Sequence, residues 1–195
     1  MAKVDDLTIF HPKTRRDWRD WLEKHHATSP GVWFVYYKKT SGKPRVTYDE
    51  AVEEALCFGW IDSLPRKLDD ERSQLLFTPR KPKSVWSKLN KQRIEKLMEQ
   101  GLMTDIGLAK INAAKQDGSW NALNASDNLE MPPGLAKGFK TNQIAATNFN
   151  AFSNSIKRAI LQWIFSAKRP ETLKARIEKT VAMAAQNKRA NFDSE

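Results

Sequence analysis

The sequence has few of the features that identify the common classes of functional site. Its one cysteine, Cys57, excludes an internal disulfide and a zinc site built from cysteines. It has no Gly-rich phosphate loop, no dinucleotide-binding fingerprint and no His-Glu-x-x-His helix. Of the three histidines, His25 and His26 are adjacent and would point about 100° apart on a helix, so they do not offer two ligands to one metal. The sequence therefore predicts no metal and no cofactor.

Long apolar runs are also lacking. No apolar segment approaches the ~18–20 residues that are needed to span a bilayer. The N-terminal residues also lack the apolar stretch that is typical of a signal peptide. We therefore expect no membrane insertion and a reducing, cytoplasmic location. The chain nevertheless contains seven Trp and nine Phe and is 40% hydrophobic, which is enough to build a core and excludes global disorder.

Positive charge is in excess, with 33 Lys and Arg against 23 Asp and Glu. Residues 1–62 are neutral, and the formal charge of +10 is divided equally between residues 63–120 and 121–195. Such a surface attracts anions, including nucleic acid, anionic lipid and small molecules that carry phosphate or carboxylate groups. The alternative interpretation is a set of solvated helix faces that keep the protein in solution.

The residue pattern of the first 80 positions predicts an α+β fold. β-branched and aromatic runs indicate strands, and apolar residues at helical spacing behind two capping boxes indicate helices. The order helix–strand–helix–strand–strand predicts a small mixed β-sheet with helices over residues 1–80. The predicted elements are a helix over 13–26, a strand over 32–39, a helix over 47–58, and strands over 60–64 and 72–78.

From residue 81 onward the apolar spacing is helical. Ser84 is predicted to cap one helix and Thr104 another. Residues 118–150 are rich in Asn, Gly and Pro and are interpreted as a long connection with one short helix near residues 135–139. Two further helices follow, the last beginning at Pro170. We therefore expect a helical C-terminal region over 81–195, packed with the first part as one compact unit.

The segment Thr78–Ser87 (TPRKPKSVWS) is the first candidate site because it combines three cations, two prolines and a predicted helix start. A helix N-terminus offers free backbone N–H groups and a partial positive charge to an anion. A phosphate or carboxylate would meet Lys81, Lys83 and the Ser84 hydroxyl, with Trp86 as a flat wall. The alternative is a proline-rich linker that ends at a capped helix.

Asp62 is a second candidate, because it follows the apolar sequence Gly59-Trp60-Ile61 and would need a cationic partner there. The predicted partner is one of Arg66, Arg80, Lys81 or Lys83. The carboxylate is then either part of a buried ion pair, a turn cap, or a catalytic or ligand-binding group. Cys57, between Leu56 and Phe58, is interpreted as an inert buried side chain rather than a nucleophile.

Three blocks resemble one known family. They are EALCFGWIDS at residues 54–63, FTPRKPKSVWSKLNKQRIEKL at 77–97 and KRAILQWIFSAKRPETLKARIEKTVAM at 157–183. Together they are similar to the YdeI/OmpD-associated proteins, also called bacteriocin-protection proteins, over roughly residues 10–190. The resemblance implies an α+β part followed by a helical region, and a role in protection against antimicrobial peptides or envelope stress. It carries over no catalytic residue.

The combined hypothesis is a cytoplasmic stress- and bacteriocin-tolerance protein that binds an anionic small molecule or peptide without catalysing a reaction. The pocket would lie between the α+β layer and the first C-terminal helices, with tryptophan walls, cations for the anion, and Asp62 to orient a basic side chain. The predicted ligand-binding residues are Trp60, Asp62, Arg80, Lys81, Lys83, Trp86, Ser87, Asn90 and Arg93.

Three alternatives remain open at this point. The last two helices, joined by Ala167–Pro170, resemble a helix-turn-helix, so the chain could bind nucleic acid. It could be an enzyme of unrecognised class with Asp62 as general acid or base. The basic surface could also dock a protein partner.

Overall fold

The structure, a computed structural model, describes residues 4–193 and divides the chain into two compact units, one ending at Asn121 and the other beginning at Ala122. The first unit holds the four strands and four helices, and the second is helical. The predicted α+β class is therefore confirmed. The spacing of apolar residues becomes wholly helical after residue 80, whereas packing in the structure divides the chain after residue 121.

The sheet of the first unit is mixed, with strand order β1-β2-β4-β3. β1 runs parallel to β2, and the other neighbouring strands are antiparallel. β1 is only three residues long, too short to show an alternating pattern, and the sequence analysis does not predict it. The strands are β1 (Thr8–Phe10), β2 (Val32–Tyr37), β3 (Trp60–Lys67) and β4 (Arg72–Pro79).

Both capping boxes form as the sequence predicts. Helix α1 (Arg15–His25) begins after Thr14, and helix α2 (Tyr48–Cys57) begins after Thr47. In α1 and α2 the threonine hydroxyl accepts a hydrogen bond from the backbone N–H three residues later, Asp17 at 3.1 Å and Glu50 at 3.3 Å. The carboxylate of the same Asp17 or Glu50 accepts a hydrogen bond from the threonine backbone N–H. These reciprocal bonds satisfy N–H groups that the helix itself leaves unpaired.

Helix α3 (Lys88–Glu99) begins three residues later than predicted. Its N-cap is Ser87, whose hydroxyl accepts from the Asn90 N–H at 3.3 Å. The Ser84 hydroxyl instead donates to the Lys81 carbonyl at 2.7 Å and closes a turn. Ser84 therefore belongs to a loop before the helix and is not the helix cap that the sequence predicts.

Helices α3 and α4 (Asp105–Gln116) complete the core of the first unit. Trp86, Ile94, Leu97 and Ile111 are buried in the same cluster as Trp18, Phe34 and Phe77 from the helices and strands before them. Because these side chains fill one core, residues 81–121 belong with the sheet, which accounts for the later division of the chain.

The second unit has its own core and more helix than predicted. Residues 118–150, interpreted from sequence as a connection with one short helix, form three helices: α5 (Asn124–Asp127), α6 (Pro133–Thr141) and α7 (Gln143–Ala151). Pro133 stands in the first turn of α6, and the Asn142 side chain caps α7 by accepting from the Ala145 N–H at 3.0 Å. The residues that suggested a loop thus begin helices.

The unit ends with α8 (Asn154–Phe165) and α9 (Pro170–Ala185), as the sequence predicts. An apolar groove of about 940 Å³ lies between α6 and α9. Its charged side chains are Lys137, Lys174 and Glu178, the last two in an i, i+4 ion pair at 3.8 Å. Within residues 4–193, no helix combines the length and apolar character needed to cross a bilayer.

Candidate functional site

Arg80 follows the last residue of β4 and is almost completely buried, with 3% of its surface exposed. Its backbone N–H donates to the Gly59 carbonyl at 2.9 Å, which fixes the chain where the sheet ends. The guanidinium lies over the Trp86 ring, 3.5 Å from its centroid. Its Nη1 donates to the Val85 carbonyl at 3.2 Å. The side chain is therefore held in one position by a ring and a backbone oxygen.

Two of the three guanidinium nitrogens of Arg80 have no partner in the protein. Nε and Nη2 are buried and make no hydrogen bond, and no carboxylate within residues 4–193 forms an ion pair with this side chain. Burial lowers the pKa of Arg80 to about 10, opposed by the charge of Asp62. The group is therefore still cationic at neutral pH. A buried charge without a countercharge costs several kcal/mol, on the order of 3–5 where a partner is removed.

Arg80 lines a cavity of about 70 Å³ between the loop after β4 and helix α4. Since a single water needs roughly 10–15 Å³ of such space, the cavity suits several waters or one small charged group. Trp86 and the half-buried Ser84 also contribute to the lining. The cavity is lined by one carboxylate, Asp117, and by four cations, so its net charge is +3. The cations are Arg80, Lys81, Lys83 and Lys110.

Asp117 holds the loop in place. Its carboxylate accepts from the Lys83 N–H at 3.2 Å and from the Ser119 N–H at 2.9 Å. The side chain and amide of Ser119 lower the pKa of Asp117, so the carboxylate is ionised. Lys83 has a φ of +62°, a left-handed conformation that costs energy for a residue other than glycine. The bond from its N–H to Asp117 supports that conformation and keeps Lys81 and Lys83 beside the cavity.

The structure brings together four of the nine sequence-predicted residues, namely Arg80, Lys81, Lys83 and Trp86. Trp60 is not part of the cavity lining and packs in the core with 1% of its surface exposed. Its indole N–H donates to the His26 carbonyl at 3.3 Å. Ser87 is the N-cap of α3 and is likewise absent from the cavity lining.

Asp62, Asn90 and Arg93 belong to a different cluster. The Tyr48 hydroxyl donates to Asp62 at 2.9 Å. Within residues 4–193 none of the four cations predicted as its partner forms an ion pair with Asp62, although its charge opposes the lowering by burial of the pKa of one of them, Arg80. Arg93 donates to the Asn90 side chain at 2.9 Å and forms an ion pair with Asp49. Its guanidinium lies 5.7 Å from the Tyr48 ring centroid. These contacts link α2, β3 and α3.

Lys110, Asp117 and Ser119 are cavity residues that sequence reasoning does not single out. They lie in α4 and the turn after it, roughly thirty residues beyond Lys81. The pair Asp117-Gly118 reads in the sequence as the end of a helix. Nothing in the local pattern indicates that this helix end returns to the loop after β4.

Two further side chains of the first unit that could take part in chemistry, Glu54 and Cys57, are buried. Glu54 is buried and paired with Arg15 and Arg19, at 2.5 and 2.9 Å. Burial and the neighbouring Glu54 raise the pKa of the Cys57 thiol to about 11, so the thiol stays protonated at neutral pH. Within residues 4–193, no three His, Cys, Asp or Glu side chains converge as metal ligands would.

Two family models match the chain, one in each unit. The model described as a domain of unknown function (DUF8412) matches residues 10–110, just over half of the chain, so the chain belongs to that family. The model described as bacteriocin-protection, YdeI or OmpD-associated (OmdA) matches residues 128–187. The resemblance stated from the sequence is thus confirmed for the C-terminal part. The blocks at 54–63 and 77–97 fall within the other match, which includes much of the cavity.

No curated protein and no solved structure matches the chain. The inferred function therefore rests on the two family descriptions and on the geometry of the candidate site.

Proposed function

We propose that this chain binds an anionic small molecule, or an anionic group of a peptide, in the Arg80 cavity, and that binding contributes to tolerance of bacteriocins or related antimicrobial peptides. The description of the C-terminal family as bacteriocin-protection proteins supports the second part of the proposal. The buried, unpaired guanidinium of Arg80 supports the first. We place this activity in the cytoplasm, in keeping with the sequence-based expectation.

An anion accounts for Arg80 better than water alone does. Water can accept hydrogen bonds from the free N–H groups of Nε and Nη2, but it brings no countercharge to a cation that has left bulk solvent. An anion supplies both the acceptors and the charge. The three lysines around the cavity add to the attraction, because their charges lie beside a poorly solvated site.

The cavity favours binding over catalysis. Its one carboxylate, Asp117, already accepts two backbone N–H bonds, which suits a structural tie better than a general base. A volume of about 70 Å³ holds a single charged group rather than a stretch of nucleic acid, so a small ligand fits this site better than an oligonucleotide does.

Tryptophan fluorescence offers a direct test. Trp86 stacks on Arg80, and the centroids of the Trp86 and Trp120 rings lie 5.2 Å apart. An anion beside Arg80 should therefore change the fluorescence emission of these two tryptophans. Acetate and inorganic phosphate would be titrated at constant ionic strength. We expect saturable binding to the native chain, and at least a fivefold weaker affinity in the double variant Lys81→Ala/Lys83→Ala with an almost unchanged melting temperature.

The matched control is Lys24→Ala/Lys39→Ala, which removes the same charge from exposed sites outside the cavity lining. It should bind like the native chain. Equal weakening in both double variants would mean that net charge, not the cavity, attracts the anion. Failure of acetate and phosphate to bind the native chain would refute anion binding. The biological part of the proposal predicts that bacteriocin tolerance of cells depends on the chain and is reduced by Lys81→Ala/Lys83→Ala.

A further inference from the structure

We infer that the Arg80 cavity recognises a group that presents two oxygens in one plane, a carboxylate or a phosphoryl group, bound side-on to the Nε–Nη2 edge of the guanidinium. This inference rests on the proposed function and makes it more specific, since it predicts selection by shape as well as by charge. Spherical anions such as chloride would bind poorly.

The first observation is which nitrogens are free. A guanidinium carries five N–H groups fixed in a plane. The N–H of Nε and one N–H of Nη2 point in the same direction, at a spacing that matches two oxygens of a carboxylate or phosphate. In Arg80 these two nitrogens have no partner, whereas Nη1 is taken by the Val85 carbonyl. The unpaired groups therefore form one complete fork.

The second observation is that the fork is held in place before a ligand arrives. The Trp86 ring covers a face of the guanidinium, and the Val85 carbonyl fixes Nη1 at 3.2 Å. Burial of the side chain adds to this restraint. Little rotational freedom remains to be lost on binding, and a fixed fork discriminates geometry better than a mobile one.

The third observation is what surrounds the fork. The buried Ser119 hydroxyl lies in the cavity lining, and Lys81, Lys83 and Lys110 add charge that a spherical anion would use as well. The lysines therefore set how strongly anions are attracted, and the fork sets which anions fit. With about 70 Å³ available, the cavity takes the charged end of a ligand, while any larger remainder lies outside.

The test uses the full chain and side-chain NMR. The Arg80 Nε–H signal, assigned by its loss in Arg80→Lys, would be followed in ¹H–¹⁵N spectra with acetate, inorganic phosphate and chloride at equal ionic strength. We expect acetate or phosphate to shift this signal saturably, and chloride to leave it within a small linear drift. Comparison of the acetate and phosphate arms identifies which two-oxygen group the cavity prefers.

Arg80→Lys keeps the charge but removes the fork. We expect it to bind the preferred anion at least tenfold more weakly than the native chain, while Arg16→Lys, an exposed arginine outside the cavity, binds normally. Native-like affinity in Arg80→Lys, or chloride binding equal to acetate and phosphate, would overturn the fork and leave simple anion binding intact. If Arg80→Lys does not fold, the comparison of chloride with acetate and phosphate by the tryptophan emission of the native chain still decides. Binding of none of the three anions would refute the proposed function itself.

Discussion

Tyr48 and Asp62 form a polar contact that crosses from α2 to β3, with the phenol donating to the carboxylate at 2.9 Å. Partial burial, followed by the hydrogen bond and charge of Asp62, raises the pKa of Tyr48 to about 12. Asp62 accepts a hydrogen bond from Tyr48, whose ring centroid lies 5.7 Å from the Arg93 guanidinium, so this contact joins α2 to β3.

The first prediction concerns the ionisation of Tyr48. Replacing Asp62 with Asn should lower the pKa of Tyr48 from about 12, because the carboxylate charge is lost, but the pKa should stay above 10, because burial is the larger cause. Tyrosinate absorbance during alkaline titration measures this, with Tyr48→Phe identifying the signal. An unchanged titration in Asp62→Asn would contradict the contact.

The same shift predicts how the stability from this contact depends on pH. The folded-state pKa is higher than the unfolded value of about 10, so the folded chain holds the phenolic proton more tightly. The stabilising contribution is fully present below pH 10 and is lost as the pH rises towards 12. The difference in unfolding free energy between the native chain and Tyr48→Phe should shrink over that interval.

At the residue scale, sequence could predict only part of the candidate site. Arg80, Lys81, Lys83 and Trp86 are neighbours in the chain, so their charge and aromatic character are visible as one motif. The direction of each side chain is not visible. Trp60 and Trp86 look equivalent in the sequence, and both are buried in the core of the first unit. Only Trp86 stacks on Arg80, because the fold brings its ring and not that of Trp60 to the guanidinium.

At the scale of elements, the position of α4 decides whether the cavity exists. The Thr104 hydroxyl donates to the Cys57 carbonyl at 2.6 Å, and the Thr104 N–H approaches the same oxygen at 3.3 Å. A Cβ at Gly107 would lie 2.2 Å from that oxygen. The start of α4 therefore rests directly on the end of α2. The helix was predictable from its period, but this contact needs the tertiary fold.

Gly107→Ala tests the close approach of α4 to α2. Alanine favours a helix over glycine by about 1 kcal/mol, but the clash with backbone should cost more, about 1–3 kcal/mol or above, so we expect net destabilisation. Urea denaturation measures the difference. Gly134→Ala in α6 is the matched control, since its Cβ would meet only the flexible tip of Ile177 at 3.1 Å. An equal or higher stability of Gly107→Ala would mean that α4 shifts away from Cys57 at little cost.

On the scale of the whole molecule, the two units coincide with the two family matches. Residues 10–110 fall in the unit that contains the sheet and the cavity, and residues 128–187 fall in the helical unit. Each part carries half of the charge excess, five in residues 1–120 and five in 121–195. The positive charge of the first part is concentrated by the fold, since four of its cations meet at one small cavity.

The extent of the first unit leads to the last prediction. A chain of residues 1–121 should unfold in one cooperative transition, whereas residues 1–80, the part that the residue pattern sets apart, should not. The shorter chain lacks Trp86, Ile94, Leu97 and Ile111, which are buried in the same core as Trp18.

Burying one such side chain contributes about 1.5–3 kcal/mol, so the four together approach the whole stability of a domain, about 5–15 kcal/mol. Circular dichroism during urea titration compares the two chains directly. If residues 1–80 unfolded cooperatively at the same midpoint as residues 1–121, α3 and α4 would be peripheral to the core. The Arg80 cavity would then be built on a detachable segment, and the fixed guanidinium that the proposed anion recognition requires would lose its structural basis.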